Sequence, residues 1–449
     1  TSTYRTINND NKLTITGGTI TGSDIAVNNS GTAIITDGKI TSTQQVGIYN
    51  SETGILTLGT NETTPSVNIA VPSIKGKTYG IQTGGTFNFY DGIIKGQSGA
   101  GTSIIGTVTS TPTGYGVRKA VETVDSVTTE TAILVTKNYA EYNGSTIVSY
   151  YETLASATTY ATSGNTIKPL VNRTETIEVT VTASKNITLD LNGKTITLKN
   201  QTLKNNGTLT ITGSGTLTGS GANTVTNAGT LTKTGTSKII NTSTSAYGAI
   251  GNTGTATISA GTITSAYRTI TNSNKLTITG GTITGSDIAV NNSGTATVTG
   301  GTVTSTGKIG IYNTTDGKLT IGTNETTPSV NTTVPSITGK TYGVQAGGTF
   351  NFYDGVIKGQ NGDGTSINGT VTAMPTGYGI RKTTETENSV TTETAVLVPA
   401  NYAEYSGSTI VSYYETLASA TTYVTSGNTI KPLVNRTETI EVTVTASKN

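Results

Sequence analysis

Apolar residues in this chain alternate with threonine, and the alternation restarts about every twenty residues. "TGTATISAGTITSAYRTITN", "SNKLTITGGTITGSDIAVNN" and "SGTATVTGGTVTSTGKIGIYN" end at Asn272, Asn292 and Asn313, so each stretch holds 20 or 21 residues. Ile258, Ile278 and Val298 stand 20 apart, as do Ile263, Ile283 and Val303. Ile270, Val290 and Ile311 form a third row. A period of two belongs to a strand, whose successive side chains point to opposite faces. Gly pairs such as Gly280-Gly281 and Asn-rich corners separate the strands. The pattern predicts an all-β fold, a parallel β-solenoid of 20–21-residue coils. One coil cannot bury its aliphatic side alone, but stacking sets Ile over Ile and closes a narrow core.

A longer period encloses the short one. Tyr4 recurs as Tyr267, Asn61 as Asn324, Phe89 as Phe352, Tyr115 as Tyr378 and Asn186 as Asn449, always 263 residues on. The chain therefore reads as one 263-residue unit plus part of the next, a piece of a tandem array. Differences between the copies mark the inner face. Ile35 becomes Val298, Ile40 becomes Val303 and Val46 becomes Ile309, all aliphatic exchanges. Their neighbours change character freely, Ile34 to Thr297 and Lys39 to Thr302, as a core on one side of each strand demands.

Asparagine returns at one corner of the coil: Asn205, Asn227, Asn252, Asn272, Asn292 and Asn313. Asn tolerates left-handed backbone, and its amide both donates and accepts. Stacked rows of this kind predict an internal Asn ladder beside the aliphatic one, the alternative being turn residues that face water.

"SYYETLASATTYATSG" (149–164), repeated at 412–427 with Ala161 changed to Val424, is the best helix candidate. Ser149 and Glu152 have capping-box spacing, Gly164 can terminate the helix, and Tyr150, Leu154, Ala157 and Ala161 share a face. Such an amphipathic helix would plug the open end of the coil stack, whose bare strand edge otherwise recruits another chain. The expected organisation is a β-helix part at 1–118, a bridge with helix at 119–164, and a full β-helix unit at 165–381. A second bridge follows at 382–427 and the start of another unit at 428–449.

Composition sharpens this picture. Only 32% of the 449 residues are hydrophobic, which suits a slim solenoid with little interior to fill. A net charge of +2 gives no electrostatic reason to expect nucleic acid or an anionic membrane as partner. The absence of Cys excludes disulfides and Cys-ligated metals, and the absence of His removes the commonest general base and transition-metal ligand. No apolar run approaches membrane-spanning length.

The stretches "SGNTIKPL", "ITLDLNGKTITL", "GTLTITGSGTL" and "KLTITGGTITG" resemble right-handed parallel β-helix (pectate-lyase-like) repeats of giant bacterial cell-surface adhesins and fibre proteins. The resemblance covers nearly the whole chain. It implies a helix capping the first coil, aliphatic and Asn ladders inside, and recurrence in long secreted chains. The same fold carries lyases, hydrolases and tailspikes, so function must be argued from residues.

Carbohydrate-cleaving chemistry needs clustered carboxylates. Asp24, Asp91, Glu175, Asp190, Asp287 and Asp354 are scattered singly, without partners one coil away. "YGVRK" (115–119) and "YGIRK" (378–382) offer a basic pair beside a Tyr, more simply read as a solvated coil edge. "GQNGDGTSING" has the oxygen-rich look of a calcium loop, with Asn361 and Asp363 as candidate ligands, but Ala100 replaces the Asp in the other copy. Thr277/Thr279, Thr297/Thr299 and Thr257/Ser259 approach a flat Thr-x-Thr array of the ice-binding type. Asn-x-Ser/Thr triplets at Asn61, Asn172, Asn206, Asn324 and Asn435 matter only in a glycosylating host. No catalytic, cofactor or metal residue is assigned. The expectation is a non-enzymatic structural segment of an extracellular fibre, stalk or adhesin shaft. Its partners would be further copies of the repeat, surface glycans or a neighbouring cell. The alternatives are a polysaccharide lyase-like enzyme and an ice-binding protein.

Overall fold

The computed structural model describes residues 4–62, 67–244, 247–325, 330–362, 364–439 and 442–444. The chain divides into two compact units, Thr1–Val171 and Asn172–Asn449. It is nearly all-β, with parallel stacked coils forming a β-solenoid of about 16 turns and two short helices.

In the second unit each coil contributes one strand to each of three parallel sheets. In one of these, Thr255–Ile258, Lys275–Ile278, Thr295–Val298, Lys318–Ile321 and Thr349–Phe352 follow one another. Ile258 pairs with Ile278 and Ile278 with Val298. In the next sheet Ile263 pairs with Ile283 and Ile283 with Val303. In the third, a 9-stranded sheet, Ile270 pairs with Val290 and Val290 with Ile311. All of these aliphatic side chains are buried, and the threonines between them point outward.

Stacking in register is what a period-two pattern repeated every coil specifies, since a one-residue slip would turn the whole aliphatic set outward. Coil length is less regular than the sequence pattern implies. Leu217 pairs with Ile239, 22 residues on, and Val303 with Ile337, 34 residues on. Extra residues leave as loops at the corners, where they cost little stability.

From Ser265 onward the corner after the second sheet carries small residues, whereas Leu198 and Asn241 fill the same row in earlier coils. Its inward positions are Ser265, Gly285, Ser305, Gly339 and Gly359. A Cβ on Gly339 would lie 1.7 Å from the Tyr342 carbonyl oxygen, so the chain there turns against its own backbone.

The first unit repeats the plan with a 5-stranded parallel sheet and a larger one that bends around a corner. In the larger sheet the strands Lys12–Gly22 and Thr32–Ser42 carry a register shift at the turn. Ile35, Ile40, Ile48, Leu56, Ile74 and Phe87 are among its buried core.

Both units end in antiparallel structure. In the first, Val127–Thr136 pairs antiparallel with the last-coil strand Ile93–Gly96 and turns back on Tyr115–Val124. In the second, Val390–Pro399 covers Val356–Gly359 in the same way. A second hairpin follows, Tyr139–Asn143 with Thr146–Tyr151, and Tyr402–Ser406 with Thr409–Tyr414. The helices come next, α1 at Leu154–Tyr160 and α2 at Leu417–Tyr423.

Two details of the expected helix are corrected. Its N-cap is Thr153, whose hydroxyl accepts from the Ser156 N–H at 3.0 Å, while Ser149 and Tyr150 belong to the preceding strand. Its C-terminal cap is Ala161 rather than Gly164. The bare strand edge of the last coil is met by the hairpin, and α1 packs on Tyr139–Asn143, Thr146–Tyr151 and Tyr115–Val124. A helix has already spent its backbone donors internally and cannot pair with an edge; a strand can.

Candidate functional site

The feature that organises the interior is a chain of buried amides. Asn205 Nδ2 donates to Asn227 Oδ1 at 2.6 Å, and the pattern continues through Asn252, Asn272, Asn292 and Asn313 at 2.7 Å per step. Each amide also donates to a backbone carbonyl in the next coil, as Asn252 does to Lys275 at 2.9 Å. The row satisfies backbone carbonyls at a corner where the sheet hydrogen bonds run out.

A second row runs in the first unit: Asn9 to Asn29 at 2.6 Å, Asn29 to Asn50 at 2.7 Å, and Asn50 to Thr83 Oγ1 at 2.9 Å. Reading only one copy of the repeat misses it, although these three are the counterparts of Asn272, Asn292 and Asn313. Every step points the same way, so the first member lacks a donor. Asn205 Oδ1 is buried and unbonded, because the residue paired with Asn205 in the preceding strand is Val181.

One core position breaks the aliphatic rule. Lys233 pairs with Ile211 on one side and Ile258 on the other, and it is fully buried. Its Nζ donates to the carbonyls of Thr234 at 2.8 Å and Ala260 at 3.2 Å. Burial pushes its pKa down to about 8. Nothing in the composition signals it; only alignment on the coil period places a Lys in an Ile row.

Buried carboxylates fasten the ends. Glu130, in the capping hairpin, accepts from the Gly101 N–H at 2.6 Å, the Ser103 N–H at 3.0 Å and the Ser103 hydroxyl. Glu393 repeats this with Gly364 at 2.6 Å and with the N–H and hydroxyl of Ser366. Glu141 accepts from Tyr151 Oη at 2.6 Å, Thr162 N–H at 2.8 Å and Asn165 Nδ2 at 2.6 Å, tying the second hairpin to the end of α1. Burial, then the Glu141 carboxylate, push the Tyr151 hydroxyl pKa up, so it stays a donor.

The sequence-derived candidates do not converge. Asp24 and Asp287 lie in coil corners, Asp287 2.7 Å from Lys308 Nζ. Glu175 is buried in the strand Arg173–Glu175, and Asp190 accepts from the Asn192 N–H in its own turn at 3.0 Å. Asp91 and Asp354 accept backbone N–H groups from Asn68 and Asn331, and burial raises the pKa of both carboxyls.

The basic pairs sit in the capping hairpins rather than on a solvated coil edge. Arg118 NH1 lies 2.5 Å from Glu152, with its guanidinium 5.2 Å from the centre of the Tyr160 ring. Arg381 repeats the pairing with Glu415 at 2.5 Å. Asp363 lies outside the described residues; Asn361 is in the loop after Val356–Gly359. Among the described residues no three His, Cys, Asp or Glu side chains gather where a metal ion would sit.

The Thr-x-Thr pairing is corrected as well. Thr279, Thr299 and Ser259 fall after the ends of their strands. Thr257, Thr277 and Thr297 do pair in register as one outward column, and the neighbouring sheet carries two such columns, Thr262/Thr264, Thr282/Thr284 and Thr302/Thr304.

Compared with protein-family models, with curated proteins and with solved structures, the chain matches none.

Proposed function

We propose that this chain is a structural repeat segment of a secreted, cell-surface fibre, stalk or adhesin shaft, and not an enzyme. The observation that carries the reading is the register. Aliphatic rows, with an Asn row beside them from Asn205 to Asn313, continue from coil to coil, and residues 1–186 of the text recur as 264–449. Repetition of this kind adds length without new chemistry. Support also comes from the ends of the coils: a hairpin occupies the edge strands Ile93–Gly96 and Val356–Gly359, which would otherwise template uncontrolled pairing along that face.

The test is electron microscopy of the native material, with its chain mass on a denaturing gel. The expected result is filaments whose contour grows with chain mass, roughly 4.8 Å per coil. Compact particles, or turnover of acidic glycans lost on Arg381→Ala, would overturn the reading.

A second reading draws on the threonines Thr262 to Thr304, two in-register columns on an outward sheet face. Such a face suits a periodic solid surface such as ice. Thermal hysteresis at high protein concentration is its test; absence of hysteresis removes it.

A further inference from the structure

The last coil of each unit is closed on two faces and open on the third. In the second unit Val356–Gly359 is covered by Val390–Pro399, and Thr349–Phe352 by a bridge from Asn351 to Ala373. In the first unit Val127–Thr136 and a bridge from Asn88 to Ser110 do the same. The third face ends on Ile367–Gly369 and on Ile104–Ile105, the outermost strands of the 9-stranded and 5-stranded sheets.

Over each of these edges lies a groove, of about 890 Å³ in the second unit and about 730 Å³ in the first. The opposite wall is Thr409–Tyr414 or Thr146–Tyr151, again the outermost strand of its sheet. That wall presents Ile410 and Val411, 37% and 38% exposed, and Ile147 and Val148, 40% and 38% exposed. The same groove thus forms twice, lined by two terminal strands and an aliphatic pair.

A lysine sits at the edge. Lys119 Nζ donates to the Ile104 carbonyl at 3.3 Å, where the next strand of a continuing sheet would place a backbone N–H. Its counterpart Lys382 lies instead 3.6 Å from Glu393 Oε1. The groove of the first unit is lined by Lys119 and Lys137 and by no carboxylate, so its charge favours an acidic occupant.

We propose that the groove of the first unit accepts an extended, acidic-aliphatic peptide segment of another protein, added as one further parallel strand on Ile104–Ile105; the second groove, where Glu393 and Glu404 stand beside Lys382, lacks that charge. Strand edges recognise peptide backbone, which a glycan does not offer, and the incoming carboxylate draws Lys119 away from the Ile104 carbonyl. Pattern is set by the sheet being continued, whose members read aliphatic-x-Asn at Val27–Asn29 and Ile48–Asn50 and Ile-Gln-Thr at Ile81–Thr83, the neighbour of the edge strand. The incoming peptide sets an aliphatic side chain over Ile104, and a carboxylate before it reaches Lys119. The inference is independent of the fibre reading.

The experiment is fluorescence anisotropy of a labelled nonapeptide with the text of residues 286–294, SDIAVNNSG, titrated with the full chain. Saturable binding is expected. It should weaken at least tenfold for the peptide with Pro in place of the central Val, which loses the N–H at the pairing edge. It should weaken as much for the chain carrying Ile147→Asp, whose carboxylate repels the acidic peptide. Ile147 is 40% exposed, so circular dichroism of that variant should match the parent. No saturable binding, equal binding of the Pro peptide, undiminished binding by the Ile147→Asp variant, or displacement by a linear oligosaccharide would each overturn the proposal.

Discussion

Lys233→Met tests the energetics of the core most directly. The ammonium is fully buried in a row that is otherwise Ile, and its pKa falls from 10.5 to about 8. That depression corresponds to about 3 kcal/mol against the charged form. Met keeps the unbranched length and removes the charge. Against the gain stand the Thr234 and Ala260 carbonyls and, at 3.4 Å, that of Gly235, which lose their donor at a combined cost of about 2 kcal/mol. The variant should therefore be more stable at pH 7, by about 1–2 kcal/mol.

The pH dependence supplies the sign. The unfolded chain holds this proton up to pH 10.5, and the folded chain only to about 8. Below pH 8 both states are charged and the penalty is complete. Between about pH 8 and 10.5 the unfolded state binds more protons, so native stability rises with pH. The advantage of the Lys233→Met variant over the parent should then shrink above pH 8, vanish near about pH 9 and reverse toward the top of the window, where only the lost carbonyl bonds remain.

Urea unfolding of the full chain at pH 7, 9 and 10, parent beside variant, isolates this residue from other groups that titrate there. Because solenoid coils open locally, hydrogen exchange of Thr230–Lys233 and Thr255–Ile258 should be followed alongside. A variant less stable at pH 7, or a difference that does not change between pH 7 and 10, refutes the reasoning.

Three other perturbations probe the remaining parts. Asn252→Ala removes a middle rung, leaving Asn272 Oδ1 and the Lys275 carbonyl without their donor, and should cost about 2–4 kcal/mol in urea unfolding. Asn227→Ala should resemble it, whereas Asn205→Ala should be milder, since it also removes an oxygen that has no donor now. Glu130→Ala leaves Gly101 and Ser103 N–H groups unpaired and should accelerate hydrogen exchange in Val127–Thr136 at least tenfold, with the central coils unchanged. Gly339→Val places a side chain against the Tyr342 carbonyl and should cost at least about 3 kcal/mol in thermal unfolding, whereas Thr338→Val, on the outward face, should stay within about 0.5 kcal/mol.

What the text of the chain determines by itself is everything that repeats. Period two sets which side of each strand is apolar, and the return of Ile258 as Ile278 and Val298 sets which residues stack. The recurrence of Asn at one coil position places the amides of Asn205 to Asn313 at equivalent positions. Local pattern and long-range contact coincide here because every distant neighbour is a copy of the residue itself. Only the tertiary structure decides the contacts between unlike partners. Glu130 reaches Ser103, Arg118 reaches Glu152, Val127–Thr136 runs against Ile93–Gly96, and the helix contracts to the residues after Thr153. These pairs sit at intervals that no periodicity announces, and a strand that must pair backward reads the same as one that pairs forward. Lys233 belongs with them: its place in the Ile row follows from the coil, but its tolerance there depends on carbonyls that only folding brings to its ammonium.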